Sequence, residues 1–180
     1  MLQKKTKAQS TLAEVIKEMA RPRVAMSARV HCPELRHTVA FILKREQSSV
    51  IAEWLRRVNL VPELTNIPLS DADRTGHLPE LFGDVISRLR LGKDAQPLIS
   101  IAAMTHGKIR FAQGYSAAML VEESRIFEVS AFSSLHLHRS ELNQRKVMLD
   151  VITIADEADS QLTETVRGFV DALKTCANLC

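Results

Sequence analysis

The stretch MTHGKIRFAQGYSAAMLVEESRIF, Met104 to Phe127, sets a histidine, an arginine and two glutamates in a run otherwise fit for a helical core. On a helix His106 and Arg110 stand at i and i+4 and share a face, and Gln113 follows Arg110 at i+3. Glu122 and Glu123 come from the segment beyond Gly114. An imidazole exchanges protons near neutral pH, and a guanidinium holds a carboxylate through paired hydrogen bonds. Three chemistries fit these residues: a polar clamp from Arg110 to Glu123 across the Gln113–Gly114 turn, a ligand-contacting version of the same cluster, and an acid–base site using His106 and Glu123. The clamp follows from cost, because breaking a buried ion pair loses about 3–5 kcal/mol and a buried arginine therefore needs a carboxylate. The acid–base reading lacks companions, since no Ser, Cys or metal triad accompanies the pair and spacing alone assigns neither acid nor base.

A second stretch, HCPELRHTV, invites a haem-binding Cys-Pro, a zinc site from His31, Cys32 and His37, or a phosphoacceptor histidine. Each has a plainer rival. Cys32-Pro33 suits a helix start and His37 a helix surface. Zinc wants three or four N/S ligands, so His136 or His138 would have to come from far along the chain. A kinase reading needs glycine-rich phosphate contacts, and the sequence has no GxG. Haem remains an alternative through His77 or His106 as a proximal ligand, against the plainer reading of hydrogen-bonded core histidines. An arginine four residues after His106 works to keep that imidazole neutral.

The elements that must position these groups read as helices. Prolines and glycines, 6 of each, fall mostly between segments of helical periodicity, and bounded strand-like alternation is hard to find. Thr11 to Ala20 reads as a short helix stopped at Arg21-Pro22. A longer one is expected from near Pro33 or Glu34, with Leu35, Val39, Ile42, Leu43, Val50, Trp54 and Leu55 as its apolar stripe and Trp54 in the core. Ser70 or Asp71 can cap a short turn. HLPELFGDVISRLRL then presents Leu78, Leu81, Phe82, Val85, Ile86 and Leu89. Gly92 and Pro97 separate it from PLISIAAMTHGKIRFAQ, which ends near Gly114, a left-handed stop. Tyr115-Ser116 opens the next helix, to about His138. After Asn143 no proline occurs, and Val151, Ala155, Ala158, Leu162, Val166, Phe169 and Leu173 recur at steps of three or four. That final helix is expected to run about 30 residues and to pair with a partner.

Totals narrow the function classes. A chain of 180 residues suits one cored domain, read as an extension with a short helix over 1–32, a helical domain over 33–175 and a tail over 176–180. A formal charge of +3 and 4% aromatics make a weak nucleic-acid footprint. HLHRSELNQRK is basic but contains Glu141 and reads as a solvated turn. Three cysteines, Cys32, Cys176 and Cys180, without CxxC fit a reducing compartment, hence a cytoplasmic location. Glu14, Lys17 and Glu18 interrupt any signal-peptide core, and no apolar run approaches the roughly 20 residues of a membrane helix.

The ordered set IAEWLRRVNLVPEL, LSDADRTGHLPELF and HGKIRFAQGYSAAMLVEESRIF resembles the N-terminal sensor domain of the RsbR/RsbRD type (RsbT co-antagonist and sensor histidine kinase N-terminal domains). The likeness spans Ile51 to Ile126 by motif and extends to Phe169 by helix pattern. Matching positions are Trp54, His77, Leu78, Pro79, His106, Gly107, Arg110, Gln113, Gly114, Glu123 and Arg125; Ser124 departs from the family's usual aromatic residue. The resemblance implies a cytoplasmic, all-α, non-haem globin-like regulatory domain in stress-type signal transduction. It places such domains before histidine-kinase, STAS or transcriptional output modules, and no output module follows Leu173. The expectation is therefore a non-enzymatic sensor bundle without a cofactor, homodimeric and partner-binding, with no nucleic acid or membrane partner. Its responsive cluster would be His77, His106, Arg110, Gln113, Glu123 and Arg125. Its dimer or output helix would present Val151, Ala155, Leu162, Val166, Phe169 and Leu173. A small-molecule or haem sensor, or a catalyst using His106 and Glu123, stands as the alternative.

Overall fold

The computed structural model describes residues 38–91 and 95–178. The expected helix at Thr11–Ala20, the His31, Cys32 and His37 set, Gly92 and Cys180 lie outside the described residues. Within them the chain is an all-α bundle: α1 (Val39–Val58), the short α2 (Pro62–Thr65) and α3 (Asp71–Thr75), α4 (Leu78–Leu91), α5 (Ile101–Ala112), α6 (Ala117–Leu137) and α7 (Val147–Ala177). A 3-10 turn, Arg139–Glu141, precedes α7. No described helix is long and apolar enough to cross a membrane.

Serine and threonine caps set most starts. The Thr38 hydroxyl accepts from the Phe41 N–H at 3.2 Å and caps α1 at Val39, while the expected start near Pro33 or Glu34, with Leu35, lies outside the described residues. Ser70 caps α3 by accepting from the Asp73 N–H at 3.1 Å. Ser100 accepts from Ala103 at 3.0 Å while its own hydroxyl donates to Asp84 at 2.7 Å, which starts α5 at Ile101 rather than at Pro97. Ser116 accepts from Met119 at 3.3 Å to open α6.

Packing follows the apolar faces. α1 lies against α4 and α6, and α7 lies against α4, α5 and α6. Trp54, Phe82, Leu120, Ile126 and Ile154 are buried in one core, and the Phe82 and Phe127 rings meet edge to face at 5.3 Å. Deleting such a side chain typically costs about 3–5 kcal/mol for an aromatic. The closest approach is between α5 and α7. A Cβ at Gly107 would sit 1.8 Å from the Thr165 carbonyl oxygen, and one at Gly168 would sit 2.0 Å from that of Met104. Only glycine fits at that crossing, and the two backbones touch.

That crossing sets the inner face of α7. Its 31 residues do form one helix, but the buried side includes Ile154, Glu157, Ala158, Gln161, Glu164, Thr165, Gly168 and Phe169. Of the expected stripe, Ala158 and Phe169 are buried, Val151, Ala155, Leu162 and Val166 are half-buried, and Leu173 is 48% exposed. Close approach selects small and hydrogen-bonding side chains for the inner face, and this rotates the apolar stripe to the flank.

Candidate functional site

The site is built where α5 turns into α6. Gly114 takes a φ of +85°, the left-handed stop that its position implied, and the Tyr115 N–H then donates to the Arg110 carbonyl at 3.0 Å. This turn brings α6 back so that Glu123 faces Arg110. Arg110 is 0% exposed, and every guanidinium nitrogen has a partner. Its Nε donates to Glu123 Oε2 at 3.0 Å, and its Nη2 donates to the Arg74 carbonyl at 2.9 Å while lying 3.0 Å from Glu123 Oε1. Its Nη1 donates to Gln113 Oε1 at 2.7 Å and reaches the Asp73 carbonyl at 3.4 Å. The helix turn α3 is thus tied to α5 through its backbone oxygens.

Glu123 is equally occupied. Oε1 also accepts from the Tyr115 hydroxyl at 3.0 Å, and Oε2 lies 3.3 Å from His106 Nε2. Its backbone carbonyl accepts from the Trp54 indole N–H at 3.2 Å, which fixes α1 against α6. The Arg110 guanidinium lies 4.7 Å from the centre of the Tyr115 ring, and Arg74 donates to the Ile67 carbonyl at 2.6 Å beneath it. Burial pushes the Glu123 carboxyl up, but the His106 hydrogen bond and the Arg110 charge and hydrogen bond together outweigh it and hold the pKa below the ordinary value. Burial, then the Glu123 charge, raises the Tyr115 phenol to about 12, so it remains a donor.

His106 completes the cluster in its neutral form. Burial lowers its pKa, the Glu123 contact partly offsets this, and Arg110 lowers it further. His77 stacks on it with ring centres 3.7 Å apart and planes 16° from parallel, and burial, followed by His106 and Arg110, holds the His77 pKa well below the ordinary range. Because an ionised Glu123 can only accept, Nε2 of His106 carries the proton and Nδ1 is a bare acceptor. Among the described residues Nδ1 is buried without a hydrogen-bond partner. An unmet buried acceptor costs about 1–3 kcal/mol. A cavity of about 40 Å³ adjoins the two imidazoles, with Trp54, Leu81, Leu120, Phe127 and Leu162 among its walls.

His77, His106, Arg110, Gln113 and Glu123 therefore come together. Arg125 does not: its side chain is 58% exposed and pairs with Glu122 at 2.8 Å on the surface. Two helical steps rotate it about 200° away from Glu123, which removes it from the cluster. The sequence reading missed Arg74 and Tyr115. Tyr115 was signalled by its place directly after the left-handed glycine, whereas Arg74 sits in a five-residue helix with no periodic signature.

Chemically the cluster can hold helices together beside a small cavity. His106 bonds Glu123 through one nitrogen, and among the described residues no hydroxyl meets the other. A cavity of about 40 Å³ is far below the roughly 300–1,000 Å³ of cofactor-sized pockets, which removes the support for haem between these histidines. His138 is engaged through Nδ1 with the Ser134 carbonyl at 2.9 Å, and His136 is exposed. The chain matches no family model, and no curated protein or solved structure matches it either.

Proposed function

We propose that this chain is a cytoplasmic regulatory domain of the sensor type that works by binding rather than by catalysis. In this reading it forms a homodimer along α7 and passes a conformational bias to a downstream signalling partner of histidine-kinase, STAS or transcriptional kind. The RsbRD-like motif order and a non-haem globin-like arrangement of the helices are part of the same reading, and neither nucleic acid nor membrane enters it. The observation that carries it is the division of α7 into two faces. Its polar and small inner face is used up against α4 and α5, while Val151, Ala155, Leu162 and Val166 are left half-buried on the flank and Leu173 is exposed in the last turns. A flank of this kind gains most from a second copy, and a symmetric pair is the simplest closed solution.

Light scattering at micromolar concentration should give twice the 20.1 kDa chain mass. Mild oxidation should link two chains through Cys176, which is exposed near the end of α7. Leu173→Glu should weaken association without lowering helical content, because Leu173 contributes little to the core. A monomer that neither crosslinks nor responds to that substitution would end the dimer reading.

A further inference from the structure

The cavity of about 40 Å³ lies where five helices meet: Trp54 of α1, Leu81 of α4, His106 of α5, Leu120 of α6 and Leu162 of α7 all line it. The fold braces this space on every side. The Trp54 indole N–H on the Glu123 carbonyl at 3.2 Å sets α1 against α6, and the Gln161 amide on the Leu81 carbonyl at 3.0 Å sets α7 against α4. The Arg110–Glu123 pair at 3.0 Å ties α5 to α6. Backbone contact at Gly107 and Gly168 stops α5 from moving closer to α7. A core void closes only as far as its surroundings can relax, and here the surrounding helices are already in contact or bonded at fixed lengths.

We propose that this braced cavity is a binding site for a small apolar molecule, the class of the diatomic gases and the shortest alkanes. Wall chemistry selects the class. Hydrocarbon from Leu78, Leu81, Leu120, Phe127, Ala158 and Leu162 makes up most of it. Its strongest polar groups are already spent, since each Glu123 oxygen serves two partners and Trp54 and Gln161 have given N–H groups to backbone carbonyls. A charged guest finds no counter-charge: Glu123 is matched by Arg110, both histidines are held neutral by burial, and no cationic side chain among the described residues lines the space. Ser124 and Thr165 bring hydroxyls to the wall, which makes water the natural competitor. A buried water, however, needs two to four polar partners, whereas an apolar guest needs none and is stabilised in proportion to the apolar surface it removes from water. Size sets the limit, because about 40 Å³ admits roughly three water-sized groups at about 10–15 Å³ each.

Use of such a guest as an input rests on the regulatory reading, whereas its binding does not, since a monomer would hold it equally well. The test therefore reads occupancy alone. The full chain, carrying carbon-13 in its leucine and alanine methyl groups, is titrated with ethane under pressure and with methanol, which has the same number of heavy atoms but carries a hydroxyl. Ethane should shift the methyls of Leu81, Leu120, Ala158 and Leu162 along one saturable curve and change the fluorescence of Trp54, the single tryptophan of the chain. Its dissociation constant should be on the order of ten millimolar for so small a probe. Methanol should bind at least about ten-fold more weakly, the loss expected for burying a hydroxyl that finds no partner. Leu137, which is 74% exposed, is the control and should show no saturable shift. Ala158→Leu fills the space from α7 and should abolish the ethane curve. Leu162→Phe fills it from a half-buried wall position and keeps the test decisive should the first variant fail to fold. Methanol binding as tightly as ethane would overturn the proposal, as would a curve that survives both substitutions. So would wall methyls that stay in contact with slowly exchanging water and give no saturable response to ethane, which would make the cavity a hydration site.

Discussion

Glu123 on α6 and Glu157 on α7 are both buried carboxylates in one bundle, but their surroundings differ. Each Glu123 oxygen takes two contacts, from Arg110, His106 and Tyr115. Glu157 is 0% exposed, accepts from the Leu98 N–H at 3.1 Å, and has Arg88 Nε only at 4.0 Å. Its Oε1 has no hydrogen-bond partner among the described residues. Burial raises both groups; in Glu123 the donors overcome it and the pKa ends below 4.5, while in Glu157 burial wins and the pKa ends above 4.5. The number and placement of donors, rather than depth, decides whether a buried charge is kept.

That contrast is broken most readily at the clamp. Arg110→Ala and Glu123→Ala should each lose about 3–5 kcal/mol in chemical denaturation, because each strands its partner in the core. The double variant should cost clearly less than the sum, and additive losses would show that the two groups are held independently. A smaller effect of opposite character is expected at the second carboxylate. Glu157→Gln should be neutral or stabilising by up to about 1 kcal/mol near pH 7, since the amide mimics the protonated form that the fold prefers.

Acidity sharpens the same comparison. Glu123, with a lowered folded pKa, contributes stability that is present above its unfolded value and lost as pH falls through the folded value, on the acid side of 4.5. Glu157, with a raised folded pKa, does the reverse: stability declines as pH rises from 4.5 through the folded value and is flat above it. Denaturation midpoints against pH should therefore show that decline in the native chain and not in Glu157→Gln. At the small end, Arg125→Ala should change stability by less than about 0.5 kcal/mol, as befits an exposed pair with Glu122.

Much of this was legible in the residues. Spacings of three and four put His106, Arg110 and Gln113 on one face, and the Gln113–Gly114 turn announced that Glu123 could return to it. Ser70, Ser116 and the left-handed Gly114 read as they fold, whereas the Ser100 cap did not. Arg74 and the two backbone oxygens that α3 lends to Arg110 were not legible, because a contact between residues 36 or 37 apart leaves no local period. The inner face of α7 escaped for another reason. Hydropathy ranks Val166 and Leu173 above Thr165 and Gly168, but the crossing with α5 selects for thinness. Arg125 was misplaced by the family resemblance, which carries residue type without rotation about the helix axis.

The contact of Gly107 with Thr165 and of Gly168 with Met104 has a mechanical side. Two backbones in touch cannot be pressed closer, so the pair of glycines works as a spacer that sets the distance between α5 and α7. At about 1.5 Å per residue the stretch of α7 back to Val147 is roughly 31 Å and the stretch out to Ala177 roughly 14 Å. A single added methyl at either glycine would wedge the two helices apart at that point.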